Sequence, residues 1–335
     1  MKTIGEVLQL SADYLQKRSI DRARRQVEEI LSYVLKIPRI ELYMQFDRPL
    51  MEEELVQIRQ WLKRRSEGEP VQYISGEVEF LDCKISVNRD VLIPRPETEI
   101  LVDKVIKEMA EKPLEVWDIC TGSGCIGIAI QKKRGDCRVV LADISLKALE
   151  TARANATLNG VDIEIVQGDL LAPFEGRRAD VIICNPPYVS ESDYVQLDRE
   201  VREWEPRGAL VAGPTGFEFY QRLAKDLPRY LNPGAKVYFE IGRGMGEGIK
   251  NLFGVGCETP FGAKSALFEQ DPNSAQIVYS KSNMPICAEC GPAQKSSNLA
   301  SKASFATNSP GPFWKRQELL QDWSSHDRYY KLEIE

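Results

Sequence analysis

Asn185-Pro186-Pro187-Tyr188 directly follows the apolar run Val181 to Cys184. At the C-terminal end of a parallel strand, such residues face the crevice where ligands bind. Two successive prolines fix the backbone and remove two N–H donors, which leaves the Asn185 side-chain oxygen and the Pro186 carbonyl as preset acceptors. That pair suits a planar NH2 group. Accepting both hydrogens draws the nitrogen toward a pyramidal geometry with its lone pair aimed at an electrophile, while Tyr188 stacks on the planar group. A Pro-Pro turn closed by an asparagine is the plain alternative, and the upstream residues argue against it.

Those residues are Asp118-Ile-Cys120-Thr121-Gly122-Ser123-Gly124-Cys-Ile-Gly127, between a strand-like and a helix-like run. Glycines there let the backbone approach a ligand, and helix-terminal N–H groups face it. Asp143 ends the next strand-like run. An acid there binds both hydroxyls of a ribose, in NAD or in S-adenosyl-L-methionine, so the pair leaves two cofactor classes open. Asp118 favours the second, because NAD places a pyrophosphate beside the glycines and a carboxylate repels it. The bland reading is that the glycines only permit tight helix–strand packing.

These residues need a scaffold, and the spacing of apolar residues supplies one. Ile4, Val7, Leu8 and Leu15, and Val27, Ile30, Leu31, Val34 and Leu35, recur at helical intervals, so residues 1–75 read as a small helical bundle. Residues 76–98 form a strand-like connector that ends in Leu92 to Glu99, with a helix opening near Thr98. From Glu115 onward, short apolar runs alternate with helical patterns: strands over 116–120, 139–143, 163–169, 180–184 and 236–241, and helices to Lys133, over 146–159 and over 217–230. Alternation of this kind predicts an α/β domain, a parallel sheet with helices on both faces. It spans 99–253 and resumes over 313–335 with two strands, Arg316 to Trp323 and Arg328 to Ile334, around a turn that holds the sole histidine, His326. Residues 254–312 lack periodicity and read as a flexible insertion.

Composition narrows the function. The 335 residues include 44 Lys plus Arg against 50 Asp plus Glu, a net charge of -6, and residues 1–85 carry 14 basic and 15 acidic residues. No positive field favours direct nucleic-acid binding. Lys63-Arg64-Arg65 reads as a solvated helix end, where the macrodipole favours cations. No run approaches a membrane span and no signal peptide is visible, so a cytoplasmic protein is expected, without membrane contact. Of the eight cysteines, only Cys287 and Cys290 have metal-ligand spacing; without a second pair they predict no metal site.

The chain also resembles a known family. Asn185 to Tyr188 with the glycine loop is similar to the amino-methyltransferases. Arg65-Ser-Glu-Gly-Glu-Pro-Val-Gln-Tyr-Ile-Ser-Gly76, Leu92 to Glu99 and Val201-Arg202-Glu203-Trp204-Glu205-Pro206 together resemble the release factor glutamine methyltransferases of the PrmC/HemK type. The resemblance covers the N-terminus to about Phe253 and about Phe313 to Glu335. It implies a Rossmann-like seven-stranded methyltransferase sheet with an N-terminal helical bundle that docks the substrate. It implies S-adenosyl-L-methionine as cofactor, class 1 peptide chain release factors as partner, methylation of the glutamine amide (N5) in their Gly-Gly-Gln motif, and a monomer. By position, Asp118, Cys120, Thr121, Gly122, Ser123, Gly124, Asp143, Leu170 and Asn185 would bind the cofactor. Asn185, Pro186, Pro187 and Tyr188 would bind the glutamine, with Asn185, Pro186 and Tyr188 catalytic. Cys120 stands where the family usually has glycine, Leu170 where some members have an aromatic, and Ser325 replaces a turn glycine.

Three rivals follow from the same residues. An exocyclic adenine amine is also planar, so an adenine N6-methyltransferase acting on DNA or RNA fits the motif, though not the charge. An NAD oxidoreductase fits Gly122-x-Gly124-x-x-Gly127 but lacks a catalytic histidine near the pocket. A non-catalytic protein that retains a cofactor site is the third.

Overall fold

The structure is a computed structural model that describes residues 2–254, 314–322 and 324–334. The expected insertion beyond Gly254, Cys287 and Cys290, and Trp323 lie outside the described residues.

The N-terminal region is helical: α1 (Ile4–Gln16), α2 (Ala23–Leu35), α3 (Arg39–Met44), α4 (Glu52–Ser66) and α5 (Val71–Ser75). Thr3 and Glu6 cap α1 reciprocally, each side chain bonding the other's backbone N–H. The periodic residues Ile4, Leu8, Val27, Ile30 and Leu31 close a core with Leu62. The structure corrects the expected solvated end of α4. Arg65 is only 3% exposed. It continues the inward stripe of Ile58 and Leu62, so helical periodicity places it inside. There it donates to the side chains of Gln26 and Glu200 and, at 3.2 Å, to the Glu69 carbonyl.

A hairpin, β1 (Glu77–Phe80) and β2 (Cys83–Ser86), and α6 (Pro96–Glu108) follow. The α/β region then runs β3 (Glu115–Ile119), α7 (Cys125–Lys133), β4 (Arg138–Asp143), α8 (Leu146–Leu158), β5 (Glu164–Gln167) and β6 (Ala179–Cys184). After β6 come β7 (Val189–Ser190), α9 (Glu191–Tyr194), α10 (Arg199–Trp204), β8 (Val211–Gly213), α11 (Glu218–Asp226), β9 (Leu231–Glu240), α12 (Gly246–Leu252), β10 (Trp314–Gln321) and β11 (Asp327–Ile334). The seven-stranded sheet has the order β10-β11-β9-β6-β3-β4-β5; β9, β6, β3, β4 and β5 are mutually parallel, β11 alone runs against them, and β10 pairs antiparallel with β11. α6, α7 and α8 cover one face, and α11 and α12 the other. β9 begins at Leu231, before the expected 236, because Asn232-Pro233-Gly234 interrupts the apolar pattern and the ladder shifts register there.

The chain builds outward from β3 to β5, then returns to place β6 on the other side of β3. This reversal opens a crevice at the C-terminal ends of β3 and β6.

Candidate active site

Ile119 and Cys184 are partners across the β3–β6 ladder. The glycine loop and the Asn185 motif therefore leave the sheet from the same rung, about 4.8 Å apart as adjacent strands are.

The loop is built by hydrogen bonds. Asp118 is fully buried, and its Oδ2 accepts from the Thr121 hydroxyl at 2.5 Å and the Gly127 N–H at 2.9 Å. Its Oδ1 has no partner, and burial pushes this carboxyl up to about 7. Asp143 accepts from the Gly122 N–H through Oδ2 and the Ser145 N–H through Oδ1, both at 2.9 Å; burial raises its pKa too. Asn155, with no exposed surface, bonds the Ser123 carbonyl at 2.9 Å and both backbone groups of Ser86, at 2.7 and 3.0 Å, which ties the loop to the hairpin.

The glycines divide in role. A Cβ on Gly122 would meet nothing within 4 Å, so its face is open to a ligand. A Cβ on Gly124 would fall 2.9 Å from Ile128 and one on Gly127 2.2 Å from Leu141; both serve packing. Thr121 and Ser123 are buried, and Cys120 is half-buried. Cys120 adopts φ +60, Leu170 φ +52 and Ser325 φ +60, all in the left-handed region that glycine adopts without cost. Two of these, Cys120 and Ser325, are the positions where the resemblance expects glycine. Leu170 is buried in the core beyond β5, where Gly168 N–H bonds the Asp143 carbonyl at 3.0 Å.

The donors and acceptors fit S-adenosyl-L-methionine. Two carboxylates that hold the open loop, Asp118 and Asp143, suit a ligand bearing an ammonium and a sulfonium and oppose a pyrophosphate.

The second motif is built by packing. Pro186 and Pro187 are buried, and Asn185 and Tyr188 are half-buried. The Tyr188 carbonyl would be 2.6 Å from a Cβ on Gly216 and its ring edge 3.1 Å from one on Gly242, so glycines allow close approach on both sides. Val189 N–H bonds the Leu210 carbonyl at 2.9 Å. Burial raises the Tyr188 phenol above its ordinary range, so it stays protonated.

Several site residues went unread in the sequence. Glu205, 5% exposed, accepts from Arg95 at 2.5 Å and from the Ile93 N–H at 3.2 Å, joining Leu92 to Glu99 with Val201 to Pro206. Burial opposes the charge on Arg95, and the Glu205 carboxylate more than restores it. Arg89 lies 3.9 Å over the Trp204 ring. Glu240 ends β9 with 3% exposure, its Oε2 accepting from the Thr98 hydroxyl at 2.6 Å. A charge closing the apolar run Val237 to Phe239, as Asn185 closes Val181 to Cys184, was the available signal. His326 lies in the β10–β11 turn, its N–H bonded to Asp322 at 3.1 Å.

Residues 6–76 match the PrmC N-terminal domain family and residues 96–201 the Methyltransferase small domain family. The Release factor glutamine methyltransferase of Geobacter sulfurreducens is 38% identical over 276 residues, 82% of this chain and 95% of that one. The protein of the same name from Chlamydia trachomatis serovar D is 40% identical, over 74% of this chain and 85% of that one. That of Bacillus subtilis is 38% identical, over 75% and 89%.

Proposed function

Because the chain belongs to the release factor glutamine methyltransferase family, we propose that it methylates the side-chain amide nitrogen of the Gly-Gly-Gln glutamine in class 1 peptide chain release factors, with S-adenosyl-L-methionine as donor. The observation that carries the reading is the shared rung: Asn185 and the open Gly122 loop leave neighbouring strands side by side.

The cofactor, when bound, supplies an electrophilic methyl group. Gly122, Asp143 and Asp118 would hold it, Asp143 through the ribose hydroxyls and Asp118 by its charge from beneath the loop, with Cys120, Thr121, Ser123, Gly124, Leu170 and Asn185 shaping the pocket. Asn185 and the Pro186 carbonyl accept the two amide hydrogens, and Tyr188 stacks on the amide plane. An amide nitrogen is a poor nucleophile because its lone pair is delocalised, so orientation and polarisation make the reaction possible. Pro187 keeps the turn rigid. The helical residues 1–75 dock the release factor. The protein acts as a cytoplasmic monomer, beside the translation factors it modifies; among the described residues no helix is long and apolar enough to cross a membrane.

Mass spectrometry of a release factor after incubation with enzyme and cofactor tests this: one methyl group on the glutamine is expected. Labelling of an adenine-containing duplex in its place would overturn it.

A further inference from the structure

Phe239 and Cys184 are partners across the β6–β9 ladder, so Glu240 and Asn185 each stand one residue beyond the same rung. Val237 and Phe239 share one core with Ile182 and Cys184. Strand alternation therefore assigns Glu240 to the opposite face, which Asp118 also shares, while Asn185 leaves the sheet directly beside it. Gly242, two residues on, lies against the edge of the Tyr188 ring.

One oxygen of this buried carboxylate is taken by Thr98. The other makes no hydrogen bond among the described residues, and it is not one of the sealed unpaired oxygens of that set, which are Asp118 Oδ1 and Glu218 Oε2. A glutamine would satisfy Thr98 equally well without the cost of a buried charge. Anchoring α6 to the sheet thus needs no charge, and the two cations that favour it, Arg328 and Arg95, donate to other carboxylates, Asp322 and Glu205.

The reaction has a use for it. When the amide nitrogen takes a methyl group, the C–S bond breaks with its electron pair left on sulfur, the N–C bond forms, and the nitrogen becomes cationic until it loses one of its two hydrogens. Asn185 and the Pro186 carbonyl are neutral acceptors, and Tyr188 is a protonated phenol. We propose that Glu240 faces the reacting nitrogen, stabilises the positive charge that develops on it and takes the proton it sheds. The products are a neutral N-methyl amide, a neutral thioether and a protonated Glu240, which returns its proton to water. The proposal rests on the amide-methylation reading.

Burial pushes Glu240 up to about 6. The Thr98 hydroxyl, Arg328 and Arg95 act in the other direction, and Glu97 adds to the rise. Tyr188, Tyr220, Tyr329 and Cys125 also feel its charge, but burial keeps all four protonated. Glu240 is thus the group expected to set an acid limb: the carboxylate is active and is lost as pH falls through about 6.

The test is single-turnover methylation of a release factor against pH, with cofactor saturating at every pH, and with cofactor affinity and thermal unfolding measured in parallel. The wild-type rate is expected to fall about tenfold per unit below pH 6. Glu240→Gln should lower the plateau at least ~10²-fold, in the range of positioned proton acceptors, and flatten the limb, with cofactor affinity unchanged. Thr98→Val removes a bond that favours the carboxylate, so it should move the limb to higher pH. A purely structural Glu240 predicts neither effect. Glu240→Gln within twofold of wild type with the same limb, or an unmoved limb in a folded Thr98→Val, overturns the proposal. If the wild type labels another planar amine and no release factor, the substrate reading fails, and the same ratios measured on that acceptor still decide the role of Glu240.

Discussion

The two loops that meet at the crevice are made by different physics. Cys120 to Gly124 is held by hydrogen bonds to two carboxylates, the buried Asp118 and the half-buried Asp143, and includes a cysteine in a left-handed conformation. Asn185 to Tyr188 is held by two prolines, burial and close approach to Gly216 and Gly242. The first is a polar network, sensitive to protonation and tolerant of a flexible ligand. The second has few degrees of freedom to lose and presents fixed acceptors to the group that reacts. Binding and chemistry are thus assigned to loops of opposite character, which makes them separable by substitution.

The largest separation is expected at Asn185→Ala. The fold should survive, because the position ends a strand held by its neighbours, and cofactor affinity should fall less than it does for Asp143→Ala. One substrate N–H is then left unpaired, and kcat should fall at least ~10²-fold, as when a preorganised polar group is removed. Single-turnover methylation beside cofactor titration reads both; a variant within threefold of wild type removes the role given to Asn185. On the other loop the pattern reverses. Asp143→Ala should weaken cofactor binding by roughly tenfold to a hundredfold, from ~1.5 to 3 kcal/mol of charge-assisted bonding, with a smaller effect on the rate at saturation.

A milder probe is pH. Asp118 is raised to about 7, and a cationic ligand favours its ionised form. Cofactor affinity should therefore fall as pH drops through 7, by roughly tenfold between pH 8 and pH 6. Calorimetry in buffers of different ionisation enthalpy would register the released proton, and Asp118→Asn should abolish both signals. If affinity is flat across this range, Asp118 does not face the ligand. The smallest effect belongs to Cys120→Gly. Relief of the left-handed backbone should raise unfolding stability by ~0.5 to 1 kcal/mol, seen as a few degrees in thermal melting. No gain would mean that thiol packing offsets the strain.

Much of this was legible in the residues. The apolar run ending at Asn185, the glycines after Asp118 and the acid at Asp143 each sit at a strand end, where alternation of runs and helices placed them. What stayed hidden was long-range pairing. Arg65 looked like a solvated cation because its partner Glu200 is 135 positions away. Glu205 and Arg95 are likewise 110 apart, and Thr98 and Glu240 142. Periodicity reports which face of an element is buried, and a charge on that face has no local signature of the residue that neutralises it. The φ +60 at Cys120 was equally invisible, because a side chain that tolerates a strained backbone does not announce it.

The single rung that joins Ile119 to Cys184 also has an evolutionary meaning. Reach, the spacing at which the two loops leave the sheet, is set by backbone pairing between β3 and β6. Acceptor choice is set by side chains and by the segments docked around them. A lineage is then free to exchange one planar amine for another by altering what surrounds Tyr188 while inheriting the length of the transfer unchanged. Diversification of substrate and preservation of reaction are, in this architecture, written on different parts of the chain.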